Sequence, residues 1–389
     1  APFSTTSGSK LTFQMASETV MSRIWQHDHT VWQDDPAEIS NRLGWLHSAE
    51  IMLENLARLD SLVDTVRSDG YTQTLLLGMG GSSLAPEVFR KTFGVAKGYL
   101  DLEVLDTTDA DAVRMADARL NISNTLFIVA TKSGGTAETL SAFKYFYNRV
   151  VEVVGEDHAG SHFIAITDPG SALVNIANQY RFRDIFLNDP DIGGRYSALS
   201  YFGLVPAALL GVDVQRLLEQ ALVDKSNCES CVAAGQNAGA WLGAAIGELA
   251  KAGRDKITFI ISPAIASFGD WVEQLIAEST GKSGTGILPV VGEAVGNPDQ
   301  YGSDRLFVYL HMDDDTHDEP AIAALEAAGH PVVHIQLSDL YGLGGQFFLW
   351  EMATAVAGYR IGIQPFNQPN VESAKIIARQ MIAAYGQIN

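Results

Sequence analysis

FIVATKSGGTAETLSAF, residues 127–143, is the stretch that decides the fold. An apolar run stops at Thr131. Lys132, Ser133, two glycines, Thr136, Glu138 and Thr139 follow before apolar residues resume at helical spacing. A short continuous apolar run is a strand buried on both faces, so the segment reads as strand, turn and helix. The same design stands upstream in LLLGMGGSSLAPEVF, residues 75–89, where Gly78, Gly80, Gly81, Ser82 and Ser83 separate strand from helix.

Outward from these two turns the alternation continues. Strand-like runs occupy 74–79, 101–106, 125–130, 162–167 and 181–187, with helical segments between them. A long helical region follows from 213 to 252, and the alternation resumes at 256–262, 286–292, 305–312 and 332–337. Helices are expected near 344–360 and 370–386, and residues 15–60 read as helical. Apolar strands alternating with helices predict an α/β protein with mostly parallel, doubly wound sheets covered on both faces. The helical interruption predicts two such subdomains. Residues 1–55 form a linker-like lead with helices, 56–225 a first subdomain carrying both turns, and 226–389 a second with the C-terminal helices.

The chain of 389 residues is 47% hydrophobic and 19% charged, enough for one large core or two moderate ones. No apolar stretch reaches the ~18 residues of a membrane span. The start, APFSTTSGSKLTF, lacks the basic and apolar regions of a secretory signal, so a cytoplasmic protein is expected. Its Ser/Thr/Gly run, beginning at Ala1, reads as a flexible lead-in or a linker to a further unit. With 26 Lys plus Arg against 46 Asp plus Glu, the formal charge is −20. Such a surface repels nucleic acid and anionic lipid, and any site for an anion must concentrate its few cations and N–H donors locally. Cys228 and Cys231 form one C-x-x-C with no second pair or nearby histidine to complete a zinc set, and are read as two reduced thiols.

Glycines let a backbone approach a ligand closely, a new helix presents unpaired N–H groups, and hydroxyls add donors without bulk. Neither G-x-x-x-x-G-K-[ST] nor G-x-G-x-x-G is present; residues 78–83 read GMGGSS. A single phosphate monoester fits these turns better than a pyrophosphate. A glycine-rich turn with no ligand is the competing structural reading.

GMGGSSL and KSGGTAET resemble the phosphosugar-binding turns of the sugar isomerase (SIS) fold. DIGGRYSALSYFGL (191–204), EQLIAESTGKSGTGILPV (273–290) and QPFNQPNVESAK (364–375) narrow the resemblance to the glucose-6-phosphate isomerase family. The last two are most similar to the isomerase half of fused transaldolase/isomerase proteins, which implies a transaldolase unit in a longer protein. The resemblance implies interconversion of an aldose and a ketose phosphate through an enediol, with no metal or organic cofactor, in a homodimer whose partner lends a segment to the site.

The resemblance assigns the proton-transferring base to Glu278, ahead of the expected helix stop at Gly281. It assigns enediolate stabilisation to Arg195, a place near the ring oxygen to Lys375, and one near the phosphate to Gln368. Phosphate contacts fall to Ser82, Thr131, Ser133 and Thr136, with backbone help from Gly81 and Lys132. Out of context, Glu278 and Lys375 would be solvated helix residues and Arg195 a surface ion pair. Gly134 and Gly135 stand where the family has threonine-like residues, which predicts a more mobile loop. Asp304, in NPDQYGSDRLFV (297–308), stands where the family places a ring-opening histidine, and it becomes the candidate for that proton transfer. His311 is read as structural.

Two alternatives share these turns. One is a non-catalytic phosphosugar-binding module, which would have no need of Glu278, Arg195 and Lys375. The other is an isomerase that also accepts mannose 6-phosphate.

Overall fold

The computed structural model describes residues 16–232 and 236–368, together with the helical positions 373, 376, 377, 380, 381 and 384. The expected helix over 370–386 otherwise lies outside the described residues, and so does Lys375.

Among the described residues nine strands form two parallel sheets. β1 (Gln73–Gly78), β2 (Asp101–Leu105), β3 (Thr125–Ala130), β4 (Phe163–Thr167) and β5 (Asp184–Leu187) make the first, in the order β2-β1-β3-β4-β5. β6 (Lys256–Ile261), β7 (Leu288–Val290), β8 (Arg305–Met312) and β9 (Val332–Leu337) make the second, in the order β7-β6-β8-β9. The expectation of two parallel sheets is met because their central strands are largely apolar runs. Leu75, Leu76, Leu77 and Phe127 through Ala130 are fully buried, as strands covered by helices on both faces must be. β1 and β3 are neighbours in register, Gly78 beside Ala130, so the two glycine-rich turns stand side by side at one carboxyl edge.

Residues 15–60 are less helical than expected. Helices cover Ala16–Trp25, Ser48–Glu54 and Leu56–Ser68, with turns and short tight helices between. The long helical region resolves into Val214–Asn227 and Ala238–Lys251, and the division drawn at 225/226 falls in the last turn of the first. Cys228 and Cys231 are free thiols; Cys228 is buried, which pushes its thiol up to about 12, and Cys231 is exposed.

Helix Leu343–Ile361 is buried along almost its whole length. Gly239, Gly243 and Gly247, spaced one turn apart on Ala238–Lys251, let it approach. A Cβ on Gly243 would stand 2.4 Å from the Ala353 carbonyl oxygen. The same buried helix carries Glu351, whose Oε1 has no hydrogen-bond partner. Burial pushes that carboxyl well above the usual carboxylate range. The native state therefore keeps a proton that the unfolded chain releases above its ordinary value of 4.5, and stability falls as pH rises through that region. Glu351→Gln, which keeps a neutral side chain of the same shape, should raise the melting temperature at pH 7 and leave it little changed at pH 4. Equal shifts at both pH values in thermal melts would contradict this reading.

Candidate active site

The first turn follows β1. Gly80 takes φ +55°, and the Ser83 hydroxyl donates to the Gly80 carbonyl at 3.0 Å before helix Leu84–Phe93 begins. Gly81 is required by contact: a Cβ there would stand 2.3 Å from the carbonyl of Gly194. The turn bearing Ser82 thus lies directly on the turn bearing Arg195. Ser197 stitches the two, its hydroxyl lying 2.6 Å from the Gly194 oxygen and 3.3 Å from that of Gly81.

The second turn follows β3. Thr131 and Thr136 share a hydroxyl–hydroxyl hydrogen bond of 2.8 Å, and helix Ala137–Val154 starts immediately after Thr136. Ser133 is exposed. Hydroxyls and the free N–H groups of this helix start make an anion seat at the carboxyl edge of β3. The Lys132 side chain is already engaged. Its ammonium pairs with Asp168 and donates to the Pro190 carbonyl at 2.7 Å, so the turn's one cation arrives largely neutralised. Gly134 takes φ +70°, and a Cβ there would stand 2.5 Å from the Leu173 amide nitrogen. Close backbone packing thus accounts for that glycine, where the sequence suggested mobility.

Arg195 is 4% exposed and fully organised. Nε donates to Ser279 Oγ at 2.7 Å, and Nη2 donates to the carbonyls of Pro365 at 2.6 Å and Asn367 at 3.2 Å. Nη1 faces Glu278 Oε1 at 3.5 Å. Burial pushes the guanidinium below its ordinary value. Tyr196, beside it, is buried and its phenol is pushed up to about 12, so it stays neutral with its hydroxyl 3.4 Å from Ser279 Oγ.

Glu278 lies in the last turn of helix Phe268–Thr280, which ends at Gly281. This helix connects the parallel neighbours β6 and β7, so it runs back along the sheet. Leu288, just beyond it, donates its amide to the Asp255 carbonyl at the start of β6. The candidate site therefore draws on the carboxyl edge of the first sheet and the amino edge of the second.

Two residues go beyond the sequence reading. Gln274 lies one turn before Glu278, with Nε2 2.9 Å from where a Gly80 Cβ would be, and its Oε1 is buried without a partner. The i, i+4 spacing in QLIAE was the signal available for it. Lys282 is 6% exposed, and its ammonium donates to Gln364 O at 2.9 Å, Asn367 O at 2.6 Å and Asn367 Oδ1 at 2.9 Å. Gln368, next along this segment, is exposed.

Asp304 is differently placed. It immediately precedes β8, its carboxylate pairs with Lys256 at 2.9 Å, and that contact holds its carboxyl below the usual range. A carboxyl so held is a poor proton donor within its own chain. His311 is buried and stacked on Tyr309, consistent with a structural role.

The arrangement offers a carboxylate, a buried guanidinium beside it whose turn packs on the turn after β1, and an anion seat at the neighbouring turn after β3. The phosphoglucose isomerase family matches residues 49–289, more than half of the chain. The chain belongs to that family. Among its relatives, a glucose-6-phosphate isomerase of Rubrobacter xylanophilus is 29% identical over 376 residues, covering 83% of this chain and 85% of its own. A crystal structure of a glucose-6-phosphate isomerase from Chlamydia trachomatis superposes with a TM-score of 0.78 at 18% identity, covering 95% of this chain and 86% of that one. A hypothetical protein of Thermus thermophilus gives the same TM-score at 23% identity, with 94% of both chains covered. The fold of the isomerase family is thus retained where most residues differ. Among the described residues no helix is long and apolar enough to cross a membrane, and no group of three or more His, Cys, Asp and Glu could hold a metal ion.

Proposed function

We infer that this chain interconverts glucose 6-phosphate and fructose 6-phosphate by moving a proton between C1 and C2 through an enediol. The observation that carries the reading is the Glu278–Arg195 pair, 3.5 Å apart, with the Arg195 turn packed directly on the first of the two phosphate turns. The phosphate sits on the hydroxyls of Ser82, Thr131, Ser133 and Thr136 and on the backbone at Gly81 and Lys132, with Gln368 nearby. Anchoring at a distance from the chemistry orients C1 and C2 against the base. Glu278 takes the proton from one carbon and returns it to the other, while the guanidinium of Arg195 stabilises the charge that develops on the carbonyl oxygen. Lys375 serves the ring oxygen.

Finer readings rest on resemblance alone. The chain works as a cytoplasmic homodimer in which Asp304 of the partner subunit reaches the sugar ring, and a transaldolase unit accompanies it in a longer protein. A non-catalytic sensing module is disfavoured because it would not need a base held against a buried arginine.

Running the reaction from fructose 6-phosphate in D₂O tests the proton transfer. Glucose 6-phosphate carrying deuterium at C2 is the expected product. Turnover that shows no incorporation and also survives Glu278→Gln would point to a hydride shift, and binding without turnover to the sensing module.

A further inference from the structure

Lys282 has no part in the chemistry above, yet it is one of the most completely engaged cations in the molecule. All three of its acceptors belong to residues 364–367. Arg195 grips the same segment, and the Asn367 carbonyl accepts from both cations. The segment is tied from its other side too. The Gln364 amide lies 3.4 Å and 3.3 Å from the carbonyls of Ala37 and Glu38. Its oxygen accepts the amides of Phe366 and Asn367 at 2.6 Å and 2.7 Å. Lys282 itself follows Glu278 by four residues, across the helix end at Gly281.

We propose that Lys282 is a positioning residue that locks the 364–368 segment, and Gln368 with it, to the turn that carries the base. The inference rests on the isomerase reading. Its geometric core is that one buried ammonium with three N–H groups meets three oxygens, all on one segment. Burial and the charge of Arg195 push the amine down to about 7, while Glu278 opposes them. Among the described residues these two are the charged groups that face it. Near neutrality the ammonium therefore loses its third hydrogen, leaving two N–H groups for three acceptors, and the lock weakens as pH rises.

Lys282→Met should raise KM for fructose 6-phosphate roughly tenfold, the scale of a lost hydrogen bond to a charged group, with a smaller change in kcat. The ratio of variant to wild-type KM should be largest at pH 6 and shrink toward pH 8.5, a comparison in which titration of the substrate phosphate cancels. Hydrogen exchange at the Phe366 and Asn367 amides should quicken while the β3 amides, 125–130, keep their protection. Unchanged exchange at 366–367 with wild-type KM would overturn the proposal, as would a KM ratio independent of pH. Should the variant loosen the whole fold, a cycle with Asn367→Ala decides: effects on KM smaller than additive support the lock, and additive effects overturn it. A wild type without turnover would instead overturn the isomerase reading, and the exchange data would judge the lock independently.

Discussion

Glu278→Gln should lower kcat for fructose 6-phosphate by about 10²–10⁴-fold, the usual contribution of a positioned general base. The amide keeps the size and shape of the carboxylate but cannot accept the migrating proton. KM should change far less, because the phosphate turns hold the substrate independently of this side chain. The variant should also fold, since Arg195 keeps its bonds to Ser279, Pro365 and Asn367 when the carboxylate opposite Nη1 is gone. Initial rates over a range of substrate concentrations, with a thermal melt alongside, separate these effects. A kcat within about threefold of wild type would remove Glu278 from the mechanism, since that is far below the general-base range.

Arg195→Lys should be nearly as damaging despite preserving the charge. The guanidinium divides its work by direction: Nε to Ser279, Nη2 to two backbone carbonyls, and Nη1 toward Glu278 and, on the proposed mechanism, the substrate oxygens that develop charge. An ammonium on a shorter, flexible stem cannot satisfy those directions together. The expected loss in kcat/KM is about 10²–10³-fold, comparable with removing one oxyanion donor. Buried acceptors left without donors cost about 1–3 kcal/mol each, so the melting temperature should fall as well. The two readouts distinguish roles. A lowered melting temperature with full kcat/KM would make Arg195 a purely structural cation.

Much of this was legible in sequence because the signals were local. β1, β3, β4, β6, β8 and β9 are predominantly apolar runs, and their bounds fall within a residue or two of the expected ones. The turns at 78–83 and 131–136 announced themselves through glycines and hydroxyls. Helix Tyr201–Leu210 did not, because YFGLVPAALL is buried on every side and contains Pro206, so it lacks both an amphipathic stripe and a continuous helical pattern. Lys282 stood in view in the AESTGK stretch, but its partners lie 82 and 85 positions downstream, beyond any periodicity. Lys132 was seen as part of the phosphate turn. Its neutralisation by Asp168, which comes from the neighbouring β4 loop, belongs to the fold alone. The placement of Glu278 at an amino edge likewise depends on which way its helix runs, which spacing cannot reveal.

The contact between Gly81 and Gly194 bears on which sugars can react. Backbone touches backbone there, and even a methyl group would overlap the opposing carbonyl. On the proposed mechanism, this contact joins the phosphate turn at Ser82 directly to the arginine beside the reacting carbons. The protein, and not the substrate, would then set the span from phosphorus to carbonyl, and the site would measure carbon count. A phosphorylated sugar one carbon too short should then fill the seat and hold its carbonyl out of reach of the base, an inhibitor made by length alone.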